Sequence, residues 1–201
     1  EFLFKGRLVK GADLAVRIRS DLINRLTGEA APYNRTFTTN GIACTTASVI
    51  SAALGYRSLA EIGPEETEKI KTAHLLLSMF NALQPGVFAL SGWDLAGMLT
   101  LDPQEVSDLI GDGDTRWINR GAHDLIGVEE EHRRRWDRLP PGRSLYGPLP
   151  EQLEDPDSFA SRLARIIEVR RSYEIDLAAL LDIPAVSHPA MLVLIHKLPS
   201  G

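Results

Sequence analysis

The 201-residue chain has a single cysteine, Cys44, so no internal disulfide can form and a reducing compartment is expected. Its apolar runs, such as Leu75–Leu77 and Met191–Ile195, are far too short to span a bilayer, and no membrane partner is expected. Basic residues are not in excess. The 22 Lys plus Arg stand against 27 Asp plus Glu, for a formal net charge of −5. That balance argues against a general nucleic-acid binder, which needs a basic face. There is no glycine-rich phosphate loop and no G-x-S-x-G nucleophile elbow. His74, His123, His132, His188 and His196 are scattered rather than set at ligand spacing, so neither a metal nor another cofactor is expected. Gly111-Asp112-Gly113-Asp114 lacks the alternating ligands and closing glutamate of a calcium loop. Internal repeats and low-complexity tracts are absent too. The opening EFLFKGRLVKG mixes charges and glycines into its apolar residues, unlike a signal peptide. A soluble, cytoplasmic protein is the expectation.

What is present is ordinary for a globular protein: 44% hydrophobic and 24% charged residues, enough for one large domain or two small ones. Leu14, Ile18, Leu22 and Leu26 recur every four residues on one helical face, and Gly28 supplies a stop. A second helix is predicted over Ile42–Leu54, its small neutral residues suited to close packing. The third runs from Pro64, at a first helical position followed by Glu65 and Glu66, to Leu83. Its second half, HLLLSMFNAL, is apolar nearly all round and is expected to be buried on more than one side. Val87-Phe88-Ala89-Leu90 then reads as a fully buried strand, so that a long helix feeds a strand as in an α/β fold.

From Thr100 to Pro150 the pattern is irregular, with at most a short helix near Pro103–Ile110. Trp117, Trp136, Leu145 and Tyr146 favour order there. Asp155-Pro156 reads as a helix cap and first-turn proline, with Phe159, Leu163, Ile166 and Ile167 carrying the helix to about Tyr173. Two strands, Asp176–Ile183 and Met191–Leu198, close the chain.

Two clusters could carry chemistry. Gly92-Trp93-Asp94 lies at the carboxyl end of the expected strand, where α/β folds place ligand groups; alternatively Trp93 packs and Asp94 caps the next turn. The second is Asp112–Arg120, in which Arg116 lies beside Trp117. Arg116 is either a surface cation–π partner or the partner of a carboxylate at the floor of a sugar pocket. The run Glu129–Glu131 with Arg133–Arg135 reads as a solvated charged face.

In order, LLLSMFNALQPGVFALSGWDLAG, GDGDTRWINRG, DPDSFASRLARIIEVRRSY and MLVLIHKLPSG resemble the last part of an α-amylase-superfamily enzyme. With NGIACTTASVISAAL and RSLYGPLPEQL, they most resemble its trehalose synthases, which isomerise maltose to trehalose. The resemblance covers the chain from about Arg17 onward. It implies a helix-rich α/β chain comprising the last helices and eighth strand of a (β/α)8 barrel over 1–174. Residues 175–201 would start a C-terminal antiparallel β domain. The superfamily's nucleophilic aspartate, acid/base glutamate and Asn-His-Asp motif have no match here. The resemblance therefore implies a C-terminal fragment, inactive alone, whose partners are the remainder of the barrel and, in the full-length enzyme, maltose and trehalose. It also implies that Arg116 holds the non-reducing glucosyl unit with an upstream aspartate. Asp114, Asp94 and Trp93 are further substrate-binding candidates, although Gly-Trp-Asp departs from the superfamily's usual Gly-Asp. A non-enzymatic helical module binding through Asp112–Arg120, or a fragment of a sucrose- or glucan-acting relative, remains the alternative.

Overall fold

A computed structural model describes residues 1–4, 6–38, 41–111, 113–127 and 140–199. Asp112, the charged run 129–135 and Trp136 lie outside the described residues. A short antiparallel hairpin, β1 (Phe2–Phe4) with β2 (Arg7–Val9), leads into α1 (Gly11–Leu26). Thr27 caps α1 through its hydroxyl and amide on the Ile23 carbonyl, and Gly28 turns left-handed beyond it. The expected helix forms, but none of its residues is buried: Ile18 and Leu22 remain exposed, and only the Leu26 end packs, against Ala31, Tyr33 and Ala52.

The single helix expected over 42–54 is two elements. β3 (Arg35–Thr38) pairs antiparallel with β4 (Gly41–Ala43), and α2 (Thr46–Ala53) starts only after Thr45. The break is local chemistry. The Thr45 hydroxyl accepts the Ser48 amide while the Ser48 hydroxyl accepts the Thr45 amide, a reciprocal cap that fixes where the helix begins. Ala47, Ser48, Ile50, Ser51 and Ala52 are buried, as their small side chains predict.

α3 (Pro64–Ala82) has the expected bounds, with Glu66 accepting the Gly63 amide at its start. Its second half is buried on one side only. His74, Leu75, Ser78 and Ala82 face inward, while Leu76, Leu77, Met79 and Phe80 are exposed. The inward side packs against α7 (Phe159–Ser172) around Leu75, Phe159 and Leu163.

The buried strand expected at 87–90 is absent. Val87 is 98% exposed, and the segment pairs with no strand among the described residues. A buried parallel strand needs a strand along each edge to satisfy its backbone, and no described strand pairs with this segment. Its exposure nevertheless alternates. Phe88 and Leu90 pack against the Phe159–Leu163 cluster while Val87 and Ala89 face outward, which is the period of a strand.

Beyond it come the short helices α4 (Gly92–Ala96), α5 (Ser107–Ile110) and α6 (Leu149–Glu154), and a 3-10 turn at Thr115–Asn119. The region from 100 to 148 is otherwise irregular where described, as expected. α7 begins three residues later than the Asp155-Pro156 signal. Ser158 caps it by accepting the Ser161 amide, and Asp155 instead closes the preceding turn onto the Asp157 amide. The chain ends in β5 (Ala179–Asp182), antiparallel to β6 (Ile195–Lys197); both are shorter than the predicted strands but lie inside them.

The fold is thus mixed α/β, helix-rich, with small antiparallel sheets. Among the described residues no helix is long and apolar enough to cross a membrane.

Candidate functional site

The residues singled out by sequence fall into two separate clusters. Asp94 occupies the third position of α4 and accepts the Ser91 amide at 3.0 Å through Oδ2, ending the 87–91 segment in a helical turn. Gly97 closes α4 in the left-handed region, at φ +61°. A Cβ there would stand 2.5 Å from the Tyr146 ring, so both the backbone conformation and the contact require glycine. The amides of Leu145 and Tyr146 bond the Ala96 carbonyl, stitching the 145–146 segment onto α4.

This places the Tyr146 hydroxyl 3.1 Å from Nδ1 of His74 on α3, while Nε2 of His74 faces Oδ1 of Asp94 at 3.8 Å. Phe159 completes the site: its ring lies 4.5 Å from His74 and stacks on Tyr146 at 4.8 Å. His74 is 1% exposed and Asp94 7%. Burial pushes the His74 imidazole down to about 4, opposed by the Asp94 carboxylate, and raises the Tyr146 phenol. A tyrosine–histidine–aspartate array of this kind can pass a proton. Here His74 and Asp94 are buried and Tyr146 is partly so, and the array packs α3, α4 and α7 together. Of the two readings open for Asp94, the structure shows the capping one. Trp93 beside it is half-buried, its carbonyl accepting the Met98 amide.

The second cluster is exposed. Asp114 caps the 3-10 turn by accepting the Arg116 amide. Its two oxygens also take Nε and Nη2 of Arg116 at 2.8 and 2.9 Å, a fork-to-fork pair, and Oδ2 lies 3.4 Å from Arg120. The Arg116 hydrogen bonds hold the Asp114 carboxyl down at about 2. Arg116 lies over the Phe37 ring at 4.4 Å, and Arg120 over Trp117 at 4.7 Å. Ile118 anchors this turn in a core of Ala43, Leu101 and Val106, distinct from the Phe159 core that holds Asp94. Arg116 thus has a local carboxylate partner two residues away, in Asp114. The cation–π contact also exists, but on Phe37; Trp117 carries Arg120 instead.

Among the described residues, neither cluster contains a paired-carboxylate arrangement. Among the described residues, no group of three or more His, Cys, Asp or Glu side chains could hold a metal ion. Burial pushes the Cys44 thiol up to about 11, so the thiolate that nucleophilic chemistry needs is scarce at neutral pH.

No family model, curated protein or solved structure matches the chain.

A cleft of about 470 Å³ opens at the C-terminal end of α1, lined by Asn24, Thr27, Gly28, Glu29, Ala30 and Arg57. None of Trp93, Asp94, Asp114 or Arg116 lines it. Sequence reasoning missed His74 and Tyr146 as partners. The available signal was a histidine embedded in the apolar half of α3, a position where an imidazole needs a polar neighbour from elsewhere in the chain.

Proposed function

We propose that the chain is the C-terminal part of a trehalose synthase, an α-amylase-superfamily maltose α-D-glucosyltransferase. The observation that carries this reading is the placement of residues 87–90. They follow α3 and precede α4, they bury alternate side chains against α3 and α7, and their other side is bare. An apolar segment seated on its flanking helices, and paired with no described strand, supports that reading. The exposed Leu76, Leu77, Met79 and Phe80 on α3 fit helix surfaces that further chain covers. The antiparallel β5–β6 pair after α7 fits the start of a following β domain.

In the complete enzyme, one upstream carboxylate attacks the anomeric carbon of maltose while a second protonates the leaving oxygen. The released glucose turns, and its anomeric hydroxyl attacks the glucosyl-enzyme, returning its proton to the second carboxylate and releasing the first. Configuration is retained. Both carboxylates lie outside this chain, which supplies substrate contacts around Arg116 and Asp114.

The test uses carbon-13 maltose and NMR on the full encoded polypeptide and on residues 1–201 alone. Trehalose is expected from the former and none from the latter. A full polypeptide that leaves maltose unchanged overturns the enzyme assignment; trehalose made by residues 1–201 overturns the fragment assignment.

In the active full polypeptide, Arg116→Ala is expected to raise KM for maltose about 10- to 100-fold with the fold retained. That corresponds to losing a charge-assisted hydrogen bond of about 1.5–3 kcal/mol. Unchanged KM and kcat would remove Arg116 from the site.

One observation favours a second reading. Arg116 is already engaged by its own Asp114, and Arg116 on Phe37 and Arg120 on Trp117 form two partly exposed cation–π pairs joined through Asp114. A non-enzymatic module that binds a partner through those pairs would leave maltose untouched and still depend on Arg116 for partner capture.

A further inference from the structure

His74 is enclosed by three elements besides its own helix. From α4 comes the Asp94 carboxylate, from the 145–146 segment the Tyr146 hydroxyl, and from α7 the uncharged Phe159 ring. On α3 itself Glu68 and Lys71 pair with each other at 2.8 Å; Asp157, before α7, pairs with Arg162 and also senses Lys71. A carboxylate opposite Nε2 favours the tautomer protonated there, leaving Nδ1 to accept the Tyr146 hydroxyl. Nε2 and the facing Oδ1 of Asp94 are both buried without a hydrogen-bond partner, 3.8 Å apart. At 3.8 Å the Asp94 carboxylate makes no hydrogen bond to Nε2, so it only partly offsets the cost of charging the buried ring.

We infer that His74, Tyr146 and Asp94 form an acid-labile lock, which holds the 145–146 segment and α4 against α3 at neutral pH and releases them on acidification. The inference is independent of the proposed enzymatic activity. Opening exposes the imidazole, which then takes a proton near the ordinary value of 6.5, whereas the closed state takes one only near 4. Between those values the open state binds more protons, so the opening constant rises as pH falls, by up to about tenfold per pH unit. Above 6.5 neither state is protonated and below 4 both are, so the dependence is confined to that window.

The test is native-state hydrogen exchange at the Leu145 and Tyr146 amides from pH 7.5 to 4.5, corrected for intrinsic rates, in wild type and His74→Gln. The wild-type opening constant is expected to rise by about 40-fold from pH 6.5 to 4.5, with a flat profile in the variant. A merely structural His74 gives two parallel profiles, and that result overturns the lock. Should the variant not fold, the proton NMR titration of His74 in the wild type decides. A midpoint well below 6.5 supports the lock, and one near 6.5 in the folded chain overturns it.

Discussion

Phe159→Ala is expected to destabilise the chain by about 3–5 kcal/mol, read from the midpoint of urea unfolding at constant slope. Phe159 is fully buried at the first position of α7, where three groups of contacts meet. Its ring touches His74 and Tyr146, its cluster includes Leu75 and Leu163, and Phe88 and Leu90 pack on that cluster from the 87–91 segment. The upper part of the range applies because the neighbours cannot close the cavity. Tyr146 is tied to α4 through the Ala96 carbonyl and to α3 through His74. Gln152, which accepts the Ala160 amide and donates to the Leu95 and Gly147 carbonyls, pins the start of α7. Phe159→Leu, which refills most of the volume, is expected to lose distinctly less than the alanine variant. A loss below about 1 kcal/mol in Phe159→Ala would show that this cluster is not a core.

The same cluster shows what could be read from the sequence and what could not. The bounds of α3 were legible because they are written locally: Pro64 and two glutamates at one end, Pro85-Gly86 beyond the other. α7 was legible by its stripe, although its cap slipped from Asp155 to Ser158 because both residues are good capping types and the turn between them consumes the first. Ile42-Ala43 reads as helix by composition, but its strand character comes from antiparallel pairing with Arg35 and Thr36, which composition does not encode. Val87-Phe88-Ala89-Leu90 was read as fully buried because a short apolar run carries no information about which neighbours are present.

The candidate sites divide in the same way. Asp114 and Arg116 are two residues apart, so their pairing is a local event within one 3-10 turn, and the sequence drew attention to that segment. His74 and Tyr146 are 72 positions apart, and their meeting depends on α4 and Gly97 placing the 145–146 segment over α3. Asp94 was noticed for its position after the apolar run. Its neighbours turned out to be the Ser91 amide and a buried imidazole rather than solvent.

The end of α3 gives the other large expected effect. The last carbonyls of a helix have no partner within it, and they carry partial negative charge. Arg170, on α7 and only 9% exposed, answers this with one guanidinium. Nη1 donates to the carbonyls of Ala82 and Gln84, and Nη2 to that of Gly86. The turn is held from a second side by the Gly86 amide on the Asp176 carbonyl. Arg170→Ala removes all three donors at once, and Arg170→Met does so while keeping most of the packed side-chain stem. Both variants are expected to lose about 1.5–3 kcal/mol, the range for removing hydrogen bonds from a charged donor and leaving buried carbonyls unpartnered. Arg170→Lys is expected to recover part of that loss, because an ammonium group can serve some of these carbonyls but cannot reproduce the planar fork. If instead Arg170→Met unfolds at the wild-type urea concentration, the guanidinium contributes nothing net. The exit of α3 into residues 87–91 would then be fixed by the Phe88 and Leu90 contacts together with the Gly86 amide on the Asp176 carbonyl.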